Sequence, residues 1–364
     1  MKKIITICAL CAISAGVMAG VQDFFTDLGN TLIRDDKSSF IRTWEGMSSD
    51  ARKHFATIRS DLTDDKYTSL HVACAKGMTE IVELLLYSGA EVESVCEPSG
   101  KTPLMLAAEN KHMAIFKKLL DNNADVNAID SNGKSVIHVV CRVNDISMLT
   151  VLLDRRPNID AQDDDGQTAL HDVVANNMIE HAKLLLSADA SVNIINNRNE
   201  TPIFLANHDN VMFNILLNSV SDINYADCER YTLIHHAICN NNKDAIFLLL
   251  KLGANVNVKD AYGSTALHYA ASFSSTEVIK AILDNNADPH SVNIHNYTIL
   301  HSAIFHSNAK ALIFLLDNRI FARYDEPFWS NLVQFAQGIS SKECHSILLA
   351  YLNNTNKKIA KLDN

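Results

Sequence analysis

Glycine and proline are scarce in this chain, with 12 glycines and 6 prolines among 364 residues. A phosphate-binding loop needs closely spaced glycines, and none occur in that pattern. The nucleophile elbow, the His-Glu-x-x-His helix and the protein-kinase motifs are also missing. The sequence therefore carries no catalytic signature, and we predict that the protein is not an enzyme.

Positive charge is in deficit as well. The chain has 32 lysines and arginines against 42 aspartates and glutamates, a formal net charge of -10. An acidic chain is repelled by phosphate backbones, and no basic stripe offsets that repulsion. We therefore predict no nucleic-acid partner, while a hydrophobic content of 47% is typical of a folded protein.

One uncharged run stands out, at the N-terminus. Lys2 and Lys3 precede the run from Ile4 to Met18, and small residues lead up to Ala19. This pattern predicts a signal peptide, residues 1–19, cleaved after Ala19, and its short start is typical of bacterial export. The run is short for a membrane span, so an uncleaved anchor is the alternative. We expect a periplasmic or secreted protein with no membrane insertion after cleavage, rather than a cytoplasmic or membrane-anchored one.

Residues 261–293 show most clearly the pattern that organises the rest of the chain. Thr265 suits a helix N-cap, and Ala266-Leu267-His268 opens a short helix. A second helix follows, with Thr276 as its predicted cap and apolar residues at helical spacing. Asn286 can adopt the left-handed backbone that ends this helix. A polar loop then leads to the next unit.

The same unit recurs at intervals of about 33 residues. Its opening threonine or serine falls at Thr68, Thr102, Ser135, Thr168, Thr201, Thr232, Thr265 and Thr298. Six of these eight units carry a histidine three positions later: His71, His138, His171, His235, His268 and His301. Such regularity predicts a tandem helical array in place of several globular domains.

This pattern resembles the ankyrin repeat, which opens with Thr-Pro-Leu-His-x-Ala and folds as two antiparallel helices and a β-turn finger. The resemblance implies an all-α ankyrin-repeat solenoid with helical caps, in which the signature histidine bonds the opening threonine and nearby loop backbone. The predicted parts are the signal peptide 1–19, an N-terminal helical cap 20–64, eight ankyrin repeats 65–325, a degenerate ninth repeat or C-terminal cap 326–352, and a flexible tail 353–364.

Two units depart from the pattern. The fifth, which opens at Thr201, is short by two residues before its second helix and has Phe204 in place of the histidine. In the ninth, Asn331 takes the position of the opening threonine, and Ala336 keeps the position of the small residue in the first helix. Loss of the signature in the ninth unit is expected of a terminal cap.

Six cysteines lie outside the predicted signal peptide. Cys74 and Cys141 occupy a small-residue position two repeats apart, which is too far for a disulfide. Free thiols are the prediction, and a Cys228–Cys239 bridge within one repeat stays open. A chain with few disulfides is more typical of the cytosol, which is at odds with export.

Fifteen histidines raise the question of a metal site. No histidine pair combines with cysteine or carboxylate at a recognised zinc spacing, and the turn at Asp163 lacks the ligand series of a calcium loop. We predict no metal and no cofactor. A metal-dependent enzyme that uses the inner-face histidines is the alternative of a different class.

In the ankyrin family the concave surface binds partners through residues just before the opening threonine and seven or eight positions after it. Here these positions give an aromatic cluster in repeats six to eight and a cationic edge in repeats two and three. The predicted partner-binding residues are Tyr231, Tyr262, Phe273, Tyr297, Phe305 and His306, with Lys101, Lys134 and Arg142. Exposed aromatic rings are enriched at interface hot spots. Alternatively, Phe273 and Phe305 pack back onto neighbouring repeats.

The resemblance thus implies a noncatalytic protein-binding module. We predict a monomer that acts as a scaffold, inhibitor or protective partner in the periplasm or after export. An effector delivered to a host cell is the alternative within this class, because ankyrin repeats are abundant in intracellular bacteria.

Overall fold

The computed structural model describes residues 15–57, 66–206, 210–318, 320–321, 324–339 and 341–362. The chain divides into two compact units, unit 1 (1–196) and unit 2 (197–364). In the described ranges the regular structure is helical, and β-structure is limited to three isolated bridges at the fingers: Ile129 with Ser135, Gln162 with Thr168, and Ala226 with Thr232. The all-α repeat fold predicted from the sequence is confirmed.

Unit 1 begins with three helices: α1 (Ala15–Ile33), α2 (Lys37–Glu45) and α3 (Ser49–Thr57). Their shared core is aromatic, with Phe40, Trp44 and Phe55 buried and the rings of Phe40 and Trp44 stacked at 5.4 Å. Helices α1 and α3 pack against the first repeat helix, where a cap of the array is expected. Residues 1–14 and 58–65 lie outside the described ranges, so most of the predicted signal peptide does too, and α1 runs through Ala19.

Four repeats complete unit 1, each a pair of short antiparallel helices. The helices are α4 (Ser69–Ala75), α5 (Thr79–Tyr87), α6 (Pro103–Glu109), α7 (Met113–Asp121), α8 (Val136–Arg142), α9 (Ile146–Leu153), α10 (Ala169–Ala175) and α11 (Ile179–Ser187). Thr68, Thr102, Ser135 and Thr168 are the N-caps of the first helix of each pair, as the repeat pattern predicts.

The signature histidine joins one repeat to the next. The Thr68 N–H donates to His71 Nδ1 (3.2 Å), so the ring proton lies on Nε2, which donates to the Lys101 carbonyl at 3.1 Å. His138 makes the same link to the Gln167 carbonyl at 3.0 Å. The predicted role of this imidazole, bonding the opening residue and a neighbouring loop, is therefore confirmed in these repeats.

Unit 2 contains a 3-10 helix (Pro202–Leu205), α12 (Asn210–Leu217), α13 (Leu233–Cys239), α14 (Lys243–Lys251), α15 (Ala266–Phe273), α16 (Thr276–Asp284), α17 (Ile299–Phe305), α18 (Ala309–Asp317), α19 (Glu326–Gly338) and α20 (Lys342–Leu362). The 3-10 helix is the first helix of the shortened fifth repeat. Its Phe204 fills the place of the histidine and contacts His236 edge-on at 5.0 Å.

Two helix starts differ from the sequence prediction. Ser275, not Thr276, is the N-cap of α16, although Asn286 takes the predicted left-handed backbone with φ +63°. Asn331 lies within α19, because Asp325 caps that helix by accepting the Phe328 N–H (3.2 Å) and Pro327 follows in its first turn.

The rest of the ninth unit follows the repeat plan. Ala336 and Leu348 are buried, and α19 and α20 pack against α17 and α18. Helix α20 runs from Lys342 to Leu362.

The described cysteines are all free, so Cys228 and Cys239 form no bridge. Four are buried and these two are exposed. Among the helices within the described ranges, none combines the length and the apolar character needed to cross a bilayer.

Candidate functional site

The predicted cationic edge of unit 1 consists of ion-paired side chains. Lys101 Nζ lies 2.8 Å from Glu109 Oε1, and Arg142 Nη2 lies 2.5 Å from the same oxygen. Glu109 is largely buried beneath them, with 17% of its side chain exposed. Two of the three predicted cations therefore share one carboxylate, and Arg142 is the most exposed of them at 56%.

Lys134 is also paired within unit 1. Its Nζ lies 3.1 Å from Asp163 Oδ2 and 3.8 Å from Asp172 Oδ2. Burial lowers the pKa of Lys134, but the two carboxylates outweigh it and the net change is upward. The ammonium group is thus held charged and neutralised by its neighbours, which leaves little free positive charge for a partner at this position.

The predicted aromatic cluster of unit 2 surrounds an open groove of about 320 Å³ between the fingers and the ends of α15 and α17. Five of the nine predicted residues line it: Tyr262, Phe273, Tyr297, Phe305 and His306. Three of these rings are half exposed, at 52% for Tyr262, 50% for Phe273 and 57% for Phe305. Such a cluster of exposed rings is uncommon on a protein surface that contacts only water.

One rim of the groove, the upper rim, is formed by two finger turns. The carboxylate of Asp260 accepts the backbone N–H groups of Tyr262 and Ser264, each at 2.8 Å. In the next finger the Asn293 side-chain oxygen accepts from the N–H groups of His295 (2.9 Å) and Tyr297 (3.0 Å). Because each turn is fixed by its first residue, the side chains that follow are held at constant positions on the rim.

The lower rim of the groove is formed by the C-terminal ends of two helices. Phe273 is the last residue of α15, Phe305 is the last residue of α17, and His306 caps α17. The imidazole of His306 lies 4.4 Å from the Phe273 ring and 5.0 Å from the Phe305 ring. Phe273 thus contacts the next repeat through His306, Phe305 contacts His306 within its own repeat, and both phenylalanines still expose about half of their surface.

Tyr297 has a double role. Its ring stacks on His301 at 5.1 Å with an 8° interplanar angle, and Phe335 of α19 packs edge-on against it at 5.1 Å. One side of the ring therefore belongs to the core of unit 2, and the other side lines the groove.

Tyr231 lies beside the groove and does not line it. Its hydroxyl is 2.7 Å from the hydroxyl of Tyr269, which donates to Asp260 Oδ2 at 2.5 Å. Burial raises the pKa of Tyr231, and the pKa of Tyr269 is raised by burial and by its bond to Asp260. Tyr269 lines the groove and was missed in the sequence, although its place four residues after Thr265 puts it on the same side of α15 as Phe273.

Among the described residues that line the groove, none carries a carboxylate, ammonium or guanidinium group. Its polar side chains carry hydroxyls, imidazoles and one amide: Tyr262, Ser264, His268, Tyr269, Ser272, Asn293, His295, Tyr297, Ser302 and His306. Across the described parts of the chain, no three histidine, cysteine or carboxylate side chains come together as metal ligands would. The arrangement suits binding through rings and neutral hydrogen bonds.

The repeat geometry agrees with a comparison against known families. A sequence profile for three consecutive ankyrin repeats matches residues 47–130, 104–196, 189–260 and 254–325. The chain belongs to the ankyrin-repeat family. Ankyrin repeats generally mediate protein–protein interaction, and they are typically non-enzymatic modules.

Curated relatives are similar over short stretches of ankyrin repeats. Human Ankyrin repeat and SOCS box protein 6 is 35% identical over 86 residues, covering 23% of this chain and 20% of that protein. The mouse B-cell lymphoma 3 protein homolog is 42% identical over 71 residues, 20% of this chain and 16% of that protein. Ankyrin repeat and KH domain-containing protein mask of Drosophila melanogaster is 44% identical over 72 residues, 20% of this chain and 2% of that protein. The matched stretches thus span at most a fifth of these relatives.

Proposed function

We propose that this ankyrin-repeat protein is a noncatalytic protein-binding module whose main contact is the aromatic groove of unit 2. The observation that carries the proposal is the convergence of Tyr262, Phe273 and Phe305, half exposed, on one uncharged groove. Burying such rings against a partner removes apolar surface from water at about 25 cal/mol per Å². Rigid rings also lose little side-chain entropy on binding, which favours them as anchors.

The test replaces two rings that line the groove and are not needed for folding. Tyr262 and Phe305 are exposed, so Tyr262→Ala with Phe305→Ala is expected to leave thermal unfolding nearly unchanged. Capture of partner polypeptides from the producing cell's envelope fraction should fall about tenfold, as hot-spot truncation does. Phe247→Ala is the matched control, because Phe247 is 37% exposed on α14 and does not line the groove. Undiminished capture by the double variant would reject the proposal.

The cationic edge of unit 1 is proposed as a secondary contact, carried by Arg142 more than by Lys101 or Lys134. The exposed guanidinium of Arg142 can leave Glu109 and bind a carboxylate of a partner instead, since guanidinium and carboxylate groups form paired hydrogen bonds. Its share of the affinity should be small and should fall with salt.

We further propose that the protein acts as a monomer outside the cytoplasm, as a scaffold, inhibitor or protective partner. Support comes from the pattern of Lys2, Lys3 and the apolar run that ends before Ala19. Cleavage after Ala19 would keep Phe25, Leu28 and Leu32, which are buried residues of α1. The intact mass of protein isolated from producing cells tests this, because retained Lys2 and Lys3 would contradict cleavage.

The purified protein also tests the two alternative functions, delivery to a host cell and metal-dependent chemistry. Groove-dependent capture from a host lysate, with none from the envelope fraction, would favour the effector role. Zinc in a stoichiometric amount would overturn the noncatalytic proposal.

A further inference from the structure

Three of the more buried polar side chains in the groove already use their hydrogen-bond donors within unit 2. His268 Nδ1 accepts the Thr265 N–H, so its ring proton lies on Nε2, which donates to the Tyr297 carbonyl at 3.1 Å. The Tyr269 hydroxyl donates to a finger carboxylate, and the Ser272 hydroxyl donates to the His268 carbonyl at 3.0 Å. The choice of a partner therefore depends mainly on the polar groups of the two rims.

On the upper rim, Asn293 presents a donor. Its Oδ1 accepts the N–H groups of His295 (2.9 Å) and Tyr297 (3.0 Å), which occupies both lone pairs of that oxygen. The same two bonds fix the orientation of the amide, because only its oxygen accepts. The other atom is thus Nδ2, which makes no hydrogen bond among the described residues. Asn293 therefore offers N–H donors and no further acceptor.

On the lower rim, His306 presents an acceptor. Its Nδ1 lies 3.3 Å from the Ser302 carbonyl, and since a carbonyl only accepts, Nδ1 carries the ring proton. In the neutral imidazole Nε2 is then an acceptor, and it makes no hydrogen bond among the described residues. The rings of Phe273 and Phe305 contact this imidazole at 4.4 and 5.0 Å. The acceptor thus has a defined place at the rim.

An unbonded donor on one rim and an unbonded acceptor on the other match a polypeptide backbone, which carries a C=O and an N–H at nearly every residue. An extended segment leaves both groups available, whereas a helix bonds them internally. The half-exposed rings of Tyr262, Phe273 and Phe305 suit apolar side chains on the same segment. A charged side chain would lose hydration there and meet no opposite charge among the described lining residues.

We propose that the aromatic groove of unit 2 binds an extended, uncharged segment of a partner polypeptide, which donates a backbone N–H to His306 Nε2 and accepts a hydrogen bond from Asn293 Nδ2. This assignment rests on the protein-binding function proposed above. It divides the selectivity of the groove between two sets of residues. His306 and Asn293 select the backbone conformation, and the exposed rings select apolar side chains.

The probes for the test come from a displayed library of random nine-residue peptides. The library is panned on the full-length protein after depletion on the Phe305→Ala variant, so that the remaining peptides depend on the groove. We expect enrichment of peptides rich in apolar residues and poor in Asp, Glu, Lys and Arg. One enriched peptide is then labelled with fluorescein and titrated with the full-length protein, and binding is followed by fluorescence anisotropy.

Two variants remove one rim group each. His306→Phe keeps an aromatic ring beside Phe273 and removes the acceptor, so it should weaken binding by about fivefold. Asn293→Asp removes the donor and keeps the finger turn, because Asp260 accepts the corresponding two N–H groups in the preceding finger. It should weaken binding by at least as much. Phe247→Ala should leave the affinity unchanged.

Methylation of the peptide's backbone nitrogens, one at a time, separates a hydrogen bond from mere packing of the His306 ring. One methylation should weaken binding to the wild-type protein by about fivefold or more, because it removes the N–H that reaches Nε2. The same methylation should cost little further affinity in His306→Phe, where the acceptor is already gone. Equal losses in both proteins at every position would overturn the assignment of His306.

Other results reject the extended segment. Enriched peptides that are charged, or that become helical by circular dichroism when they bind, would overturn it. A dimer in sedimentation that Phe305→Ala dissociates would indicate a second copy of the chain instead. If no peptide is enriched while groove-dependent capture persists, the extended segment is wrong and the protein-binding proposal survives. If capture is also independent of the groove, both proposals fail.

Discussion

Units 1 and 2 build the same contact between repeats with different chemistry. In unit 1, Lys134 precedes an opening residue and reaches Asp172, four positions after the next opening, with a 3.8 Å separation. In unit 2 the corresponding pair is Tyr231 and Tyr269, whose hydroxyls lie 2.7 Å apart. The finger aspartates correspond too, as Asp163 bonds Lys134 and Asp260 bonds Tyr269.

The difference shows how one backbone produces two kinds of surface. Paired charges satisfy each other, so this surface of unit 1 stays polar with its cations neutralised. Tyrosines at the same positions bring rings to the surface, and Phe273 and Phe305 continue them along unit 2. Surface character is thus set by a few positions per repeat, while the helices stay the same.

The largest expected effect is a loss of stability in acid that is greatest at α13, α15 and α17 of unit 2. Burial lowers the pKa of His235 to about 4, and it lowers those of His268 and His301 as well, with His301 also at about 4. In addition, among the described residues His235 Nε2 makes no hydrogen bond of good geometry, whereas His138 Nε2 bonds the Gln167 carbonyl. The folded state of unit 2 therefore holds these imidazoles neutral.

The sign follows from proton uptake by the unfolded chain. Its histidines titrate near 6.5, so below that pH the unfolded state binds more protons and unfolding becomes easier until about pH 4. For His235 alone the loss is about 2 kcal/mol at pH 5. Hydrogen exchange at pH 7 and 5, corrected for intrinsic rates, should show α13, α15 and α17 losing more protection than α6 and α8. Equal losses in both sets would contradict this difference.

A second prediction separates rings that support unit 2 from rings that only face the groove. Tyr297→Ala removes the stack on His301 and the contact with Phe335, so it should lower the free energy of unfolding by about 2 kcal/mol. Tyr262→Ala removes an exposed ring and should cost less than about 0.5 kcal/mol. Urea unfolding measures both. A Tyr262 variant as unstable as the Tyr297 variant would mean that the exposed ring is structural.

Salt should distinguish the two inter-repeat contacts. A double-mutant cycle of Lys134→Met and Asp172→Asn should give a coupling of about 0.5 kcal/mol that shrinks in 1 M salt. The corresponding cycle of Tyr231→Phe and Tyr269→Phe should give about 1 kcal/mol, because this hydrogen bond joins neutral groups, and it should not change with salt. If both coupling energies changed equally with salt, the two contacts would not differ in chemical character.

Much of the fold was readable from the sequence because its determinants are local. A threonine and a histidine three residues apart form the helix cap, so the openings at Thr68, Thr265 and the other units were correctly placed. The ninth unit was misread at Asn331, since an N-cap at Asp325 and Pro327 start that helix earlier than the repeat register requires.

The groove was only partly readable. Aromatic residues at fixed repeat positions identified five of its lining side chains, and Tyr269 was missed because it lies at a different position of the repeat. The ion pairs of unit 1 could not be seen at all. Glu109 joins Lys101 and Arg142 across neighbouring repeats, and such pairing depends on where long side chains point as well as on spacing.

The smallest expected effect tests whether the neutralised cations of unit 1 can act once they are released. Glu109→Gln frees Lys101 and Arg142 and should cost about 1 kcal/mol or less, because ion pairs near the surface stabilise little. If this edge is a contact for an acidic partner, affinity for a polyglutamate probe at low salt should rise about threefold. The control is Glu83→Gln, which removes the same charge where Glu83 pairs with Lys118, 2.9 Å away, on another pair of helices. If the affinity rose equally in both variants, the change in net charge alone would explain the rise. The cationic edge would then have no binding role of its own.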